Sequence, residues 1–308
     1  MTNIISLIRN KYYADLRKSK WYRRLVLKNP RRALNIKWKA HFGHAFPWDN
    51  PQTLDEKIGW LQVNTDTSLW SELADKYEVR KYVEEKAGGK YLVPIYGVWD
   101  RVEDIDFEQL PDQFVIKCTH DCGSTIVVTD KANENLEAIK EKLRQHLNNI
   151  GGYATFEPHY IHIKPRIIAE KVLGEDSTVG SLIDYKIWCF DGEPYVCLVC
   201  YDRTGHHATW ETFQLTPWKA RHDWLSERDQ KQHFKELPTP LNLSEMIEVA
   251  KKLSTNIPQV RVDLYNINGN IYFGEMTFTA SSGIQQSFSD KMLLEMGKRI
   301  TLPKTAGN

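Results

Sequence analysis

The chain has 308 residues, 41% of them apolar and 26% charged, with a formal net charge of +1. That length accommodates one large domain or two to three small lobes around a substantial core, and the composition excludes a disordered chain. Five cysteines, an odd number, and a beginning without the basic, apolar and small-residue succession of a secretory signal predict a reduced, cytosolic setting.

The near-zero net charge conceals an uneven distribution. Residues 1 to 40 gather Arg9, Lys11, Arg17, Lys18, Lys20, Arg23, Arg24, Lys28, Arg31, Arg32, Lys37 and Lys39 against Asp15 alone. Such a block attracts anions. Ile4, Ile5, Leu7, Ile8, Tyr12, Tyr13, Leu16, Trp21, Tyr22, Leu25, Val26 and Leu27 interleave with these charges. The pattern fits either a helix lying on an anionic membrane or a helical arm docked on the protein body with its charges solvated. No nucleic-acid-binding motif accompanies it, and no apolar run approaches the roughly 20 residues of a membrane-spanning helix.

After a turn-rich stretch from Phe46 to Pro51, Thr53-Leu54-Asp55-Glu56 has the capping-box pattern that opens a helix. A further helix is predicted from Ser68 to the paired stop Gly88-Gly89. Phe114-Val115-Ile116-Lys117-Cys118 and Thr125-Ile126-Val127-Val128 read as two strands of one small sheet, with residues 135–149 as an amphipathic helix packed on it. From Arg166 onward strands dominate: 167–172, 184–190 and 195–201. A helix over 244–253 then precedes a hairpin, 260–267 and 270–278, around Asn268-Gly269. Cys197 and Cys200 have C-x-x-C spacing, but on a strand they point to opposite faces, which argues against zinc or redox chemistry. The expected architecture is α+β: a helical basic region (1–66), a first sheet-bearing lobe (67–165) and a second (166–308).

The final hairpin carries the most chemistry. Along its first arm Arg261, Asp263 and Tyr265 share a face, and along the second Phe273, Glu275 and Thr277 do. A two-residue Asn268-Gly269 turn would set Asp263 opposite Gly274 and leave Glu275 on the apolar side. A three-residue turn from Ile267 to Gly269 would set Arg261 opposite Glu275 and Asp263 opposite Phe273, gathering two carboxylates and a guanidinium on one surface. Magnesium takes oxygen ligands and is commonly held by one or two carboxylates with nucleotide phosphates. By itself, an exposed hairpin with cross-strand charge pairs is the ordinary explanation. Other positions tilt the balance. Lys117 interrupts an apolar strand, where an ammonium needs an anionic partner or an exit to solvent. Gly123-Ser124-Thr125 offers a turn whose backbone N–H groups suit phosphate. Glu170-Lys171 interrupts another strand, and Asp184 and Lys186 share one face of the next. As a series they suggest a polyanion held between sheets.

The order Asp75-Lys76, Val115-Ile116-Lys117 with Gly123-Ser124-Thr125, Glu170-Lys171-Val172-Leu173, Arg261-Val262-Asp263 and Glu275-Met276-Thr277 resembles the ATP-grasp superfamily. Leu73-Ala74-Asp75-Lys76-Tyr77-Glu78-Val79-Arg80, Asp184-Tyr185-Lys186 and Tyr272-Phe273-Gly274-Glu275-Met276-Thr277-Phe278 are more specifically similar to its teichuronopeptide-biosynthesis (TupA-like) family, from about Pro51 to Pro303. The resemblance implies an ATP-grasp fold, two α+β lobes gripping ATP, and the cofactors ATP and Mg2+. It implies that Lys76 and Lys117 bind phosphates, that Gly123, Ser124 and Thr125 belong to the loop closing over them, and that Glu170, Lys171 and Leu173 form the hinge holding adenine. Asp263 and Glu275 would ligate magnesium, and Thr277 falls where many members place an asparagine ligand. Arg261 matches the arginine that stabilises the transferring phosphate, and Lys186 is carried over beside it as catalytic.

The implied reaction is ATP-dependent joining of a carboxylate to an amine through an acyl phosphate, without a nucleophilic side chain. The family name points to bacterial surface glycopolymers. The basic arm would suit an acidic glycan, a lipid-linked carrier or the inner face of the membrane, with nucleic acid excluded. Two rivals remain. A glycosyltransferase would use Asp104-Ile105-Asp106 as a D-x-D metal site, although that acidic loop reads as a solvated turn. A non-catalytic glycan- or membrane-binding protein would rest on the basic, aromatic front alone.

Overall fold

The computed structural model describes residues 2–174, 182–204 and 207–304. The basic segment is helical, as its periodicity predicts: α1 (Thr2–Leu16), α2 (Lys20–Lys28) and α3 (Pro30–Phe42). Ser19 caps α2, Asn29 caps α3 ahead of Pro30, and Gly43 ends α3 in the left-handed region at φ 87°. Tyr22, Val26, Ala33, Leu34 and Trp38 are buried in the main core, so α2 and α3 dock on the body along one face. The predicted capping box forms: Glu56 N–H donates to Thr53 Oγ1 at 3.3 Å and Thr53 N–H to Glu56 Oε2 at 2.9 Å, opening α4 (Leu54–Asn64).

The single helix expected over 68–88 is two, α5 (Ser68–Ala74) and α6 (Val79–Lys86). Asp75 is the reason. Its Oδ1 accepts from the N–H groups of Tyr77 (2.8 Å) and Glu78 (3.3 Å), offering the backbone an alternative to continued helix. Lys76 N–H, freed at the break, donates to Thr119 O at 3.1 Å.

Two antiparallel sheets follow. The first is ordered β1 (Ile95–Trp99), β4 (Ile167–Glu170), β2 (Phe114–Cys118) and β3 (Ile126–Val128), with α7 (Leu136–Asn148) packed against it. Because β4 hydrogen-bonds with both β1 and β2, this sheet takes in residues beyond the expected division at 166. The second is ordered β10 (Asn270–Thr277), β9 (Gln259–Ile267), β5 (Asp184–Phe190), β6 (Glu193–Thr204), β7 (His207–Gln214) and β8 (Lys219–Ala220). One of its faces packs against α8 (Leu243–Ser254). The helical front, α5, α6 and this second sheet share one core, whereas the first sheet and α7 have their own.

The helical front is tied in at a glycine. On the last helix, Asp290–Lys298, a Cβ at Gly297 would lie 2.0 Å from Gln52 O and 2.7 Å from the Thr53 carbonyl carbon, at the start of α4. Backbone cannot yield as a side-chain tip can. Gly297→Ala is therefore expected to cost about 1–3 kcal/mol, seen as a lower urea midpoint with an unchanged slope; an unaltered midpoint would contradict the close packing.

Candidate active site

The turn of the final hairpin is the two-residue Asn268-Gly269, with φ 51° and 87°. The three-residue turn considered for this hairpin is not formed. Instead a β-bulge between Phe273 and Glu275 shifts the register, so that Phe273 pairs with Leu264 but Glu275 pairs with Asp263 and Thr277 with Arg261. The extra residue is Gly274. A Cβ there would sit 3.1 Å from Asp263 O and 3.2 Å from Tyr265 Cε2, which is why a glycine suits the position. The bulge rotates Glu275 off the apolar face on which an unbroken ladder would leave it.

Arg261 ties the resulting cluster together. Its guanidinium grips Asp263 with two bonds, Nε to Oδ1 at 2.6 Å and Nη2 to Oδ2 at 2.7 Å. The same Nη2 reaches Glu275 Oε1 at 3.1 Å and Thr277 Oγ1 at 3.0 Å, and the Thr277 hydroxyl lies 3.1 Å from Glu275 Oε1. From β5, Lys186 Nζ stands 2.5 Å from Asp263 Oδ2 and 2.6 Å from Asp184 Oδ2. From β6, Arg203 Nη2 stands 2.7 Å from Asp184 Oδ2. Burial would push the Glu275 carboxyl up, but Lys76, Arg261 and Lys186 together hold it down at about 2. For Lys186, burial opposes the charge, and Asp263 and Asp184 outweigh it, raising the ammonium pKa.

The first lobe faces this cluster with further cations. The break between α5 and α6 carries Lys76, whose Nζ donates to Asp121 O and whose charge is felt at Glu275. Lys117 on β2 has the anionic partner its strand position demanded: Glu170 on β4, which also lies 3.9 Å from Arg80 Nη1. Lys117 and Glu170 thus form a separate pair, with no ion pair to the Arg261 cluster among the described residues. Gly123 (φ 95°) and Thr125 are exposed in the connecting loop, whereas Ser124 is turned inward. Its hydroxyl accepts from Cys118 N–H at 2.9 Å and donates to Asp121 Oδ1 at 2.5 Å, so that side chain closes the loop and leaves only its backbone for a ligand. Beyond β4, Lys171 is exposed, its N–H donating to Pro94 O at 2.9 Å, and Leu173 is half-buried.

A family model described as TupA-like ATPgrasp matches residues 56–301, most of the chain. The chain belongs to the TupA-like ATP-grasp family. No curated protein matches its sequence significantly. Among solved structures it is similar to an L-amino acid ligase from Bacillus licheniformis (14% identity, TM-score 0.47, covering 84% of this chain and 57% of that one). It is also similar to D-alanine–D-alanine ligase from Bacillus anthracis complexed with ATP (14%, 0.41, 83% and 76%) and to a D-cycloserine synthetase (14%, 0.44, 82% and 80%).

The donor types of the hairpin suit magnesium, with Glu275 open to it and Asp263 available only on release of Arg261 or Lys186, which hold both of its oxygens. Two carboxylates and a hydroxyl share one face, and Glu275 Oε2 has no protein partner among the described residues. No group of three or more His, Cys, Asp or Glu side chains that could hold a metal occurs among those residues. Cys197 and Cys200 lie on opposite faces of β6, both buried and unpaired in a disulfide.

Several groups at the site escaped sequence reasoning. Lys37, read only as one charge of the basic arm, is buried, and its Nζ donates to Thr155 O at 2.7 Å and to Ser282 O. Burial lowers its pKa to about 8, against the pull of Glu157 and Asp55. Ser282 belongs to a left-handed run, Ser281, Ser282 and Gly283 (φ 52°, 57° and 76°), shortly after β10. Glu157 Oε1 accepts from Thr279 Oγ1 at 2.5 Å. Three successive left-handed residues beside a charged cluster are the kind of strain that functional sites retain. Gly283 marks only the end of that run, two serines being unusual in the left-handed region, and the acceptors of Lys37 are carbonyls more than a hundred residues away.

Proposed function

We propose that this chain is an ATP- and magnesium-dependent carboxylate–amine ligase. A substrate carboxylate oxygen attacks the γ-phosphorus of ATP, the bond to the β-phosphate oxygen breaks, and ADP leaves an acyl phosphate. An amine then attacks the acyl carbon, phosphate departs with the C–O electrons, and the amine loses a proton to leave an amide. Neither step needs a protein nucleophile; the protein positions the reactants and offsets charge.

The observation that carries this reading is the Arg261–Asp263–Glu275–Thr277 cluster, with Lys186 paired to it from β5 and the charge of Lys76 reaching Glu275. Asp263 and Glu275, with Thr277 beside them, would hold magnesium, which neutralises phosphate charge when bound. Arg261 and Lys186 would meet the charge that builds on the transferring phosphoryl group. Lys76 and Lys117 would hold ATP phosphates under the loop of Gly123, Ser124 and Thr125. Glu170, Lys171 and Leu173 would form the adenine hinge. The family name supports a carboxylate on a bacterial surface polysaccharide, a uronic acid or glycan-linked amino acid, joined to an amino acid or amine in the cytoplasm. The glycosyltransferase reading has less support. Asp104 and Asp106 lie exposed, and Asp106 spends its oxygens on Glu108 N–H (3.0 Å) and Gln109 Nε2 (2.8 Å) within a local turn.

The test is release of ADP and phosphate that requires magnesium and both a carboxylate and an amine acceptor. In the same assay Lys117→Ala is expected to raise the ATP requirement by about 10- to 100-fold, as for a lost charge-assisted bond. Nucleoside diphosphate released from a sugar nucleotide, or phosphate retained on the product, would refute ligation.

A further inference from the structure

Twelve basic residues and one acid give residues 1 to 40 a charge of +11, so the remaining chain carries −10 of the total +1. Among the described residues none of those twelve cations makes an ion pair, although the rest of the chain supplies 39 carboxylates. The docking of α2 and α3 uses their inner faces. What they turn outward is unusual.

On α2 the buried side is Tyr22 and Val26, and the opposite side presents Lys20, Trp21, Arg24, Leu27 and Lys28, all exposed and spaced three, four and seven apart. Trp21 is 50% and Leu27 58% exposed. On α1, Leu7, Ile8, Lys11 and Tyr12 likewise share an exposed face. Of the eleven large apolar side chains that stand exposed among the described residues, five fall within residues 7 to 27, so they are concentrated where the uncompensated cations are. Beside α2 lies a depression of about 260 Å³ lined by Arg23, Arg24, Leu27, Asn148, Ile150 and Tyr153. Two arginines share that lining with Leu27, Ile150 and Tyr153, and the Arg23 guanidinium lies 5.6 Å from the centre of the Tyr153 ring.

We propose that the outer faces of α1 and α2 form a docking surface for an anionic phospholipid bilayer. A soluble polyanion would reward the cations alone and leave Trp21, Leu27 and Ile150 in water. A bilayer rewards both: acidic headgroups meet Lys20, Arg24 and Lys28, and the interfacial region accepts the indole and leucine. No helix of the described residues is long and apolar enough to cross a membrane, so the contact is peripheral. This proposal does not depend on the ligase reading.

The full chain should sediment with vesicles of phosphatidylcholine mixed with phosphatidylglycerol, but not with pure phosphatidylcholine, and added salt should release it. Arg24→Glu with Lys28→Glu, and separately Trp21→Ala with Leu27→Ala, should each weaken binding about tenfold or more. All four positions are exposed, and far-ultraviolet circular dichroism checks that the fold is kept. Failure of the wild-type chain to bind the acidic vesicles would overturn the proposal. So would full retention of binding by the Trp21 and Leu27 double variant, or binding of dextran sulfate in preference to vesicles, each of which identifies a polyanion site instead.

Discussion

Glu275→Gln is expected to lower magnesium-dependent ligation by about a thousandfold while changing ATP affinity by less than about tenfold, the scale of losing one electrostatic group aimed at developing charge. The amide keeps the shape and can still accept from Arg261, as Oε1 does at 3.1 Å, and from Thr277. What it loses is the negative charge that three cations hold in place. Turnover followed by ADP release across a magnesium titration separates the two effects: a metal role predicts that the half-maximal rate moves to higher magnesium, whereas a purely structural role leaves the magnesium requirement unchanged. Near-normal turnover would remove Glu275 from the site. The same residue leaves a mark on stability. Its folded pKa of about 2 lies below the ordinary 4.5, so its contribution is complete above about 4.5 and is lost as pH falls toward 2. In Glu275→Gln that portion of the acid unfolding curve should flatten.

Elements whose causes are local were legible in the sequence. The Thr53–Glu56 capping box, the strands Phe114–Cys118 and Asp184–Phe190, and the Asn268-Gly269 turn all appear where their residues called for them. The break at Asp75 was also written locally, but as an aspartate that competes for backbone N–H groups it resembles any helical surface acid until the chain is folded. The hairpin register shows the harder case. Sequence reasoning required Asp263 and Glu275 on one surface and attributed that to turn length. The molecule keeps the short turn and inserts Gly274 as a bulge, a device whose mark in the sequence is one glycine within a strand. Lys37 lay beyond reach for a different reason. Its environment is assembled from α3, residue 155 and the run after β10, and only tertiary packing distinguishes it from its eleven basic neighbours.

Arg261→Met is expected to unfold the chain more easily by about 3–5 kcal/mol, the usual cost of removing one partner from a buried pair, and to abolish ligation. Loss of activity alone would not tell catalysis from collapse, because Arg261 is also what neutralises Asp263 from two directions. Combining Arg261→Met with Asp263→Asn resolves this. With the charge of Asp263 gone, Lys186 retains Asp184 at 2.6 Å and the one carboxylate that loses an ion-pair partner is the partly exposed Glu275, so a large part of the lost stability should return in a urea titration. Ligation should not return, since the double variant lacks both the guanidinium opposite the phosphoryl group and a proposed metal ligand. Arg261→Lys supplies the complementary case: it keeps the charge but replaces the two-pronged grip on Asp263 by a point contact. It should stay folded, with kcat reduced about 100-fold or more and KM for ATP little changed. If the lysine variant turned over at the wild-type rate, Arg261 would be a structural clasp for the hairpin, and the charge offsetting phosphoryl transfer would have to come from Lys76 and Lys186.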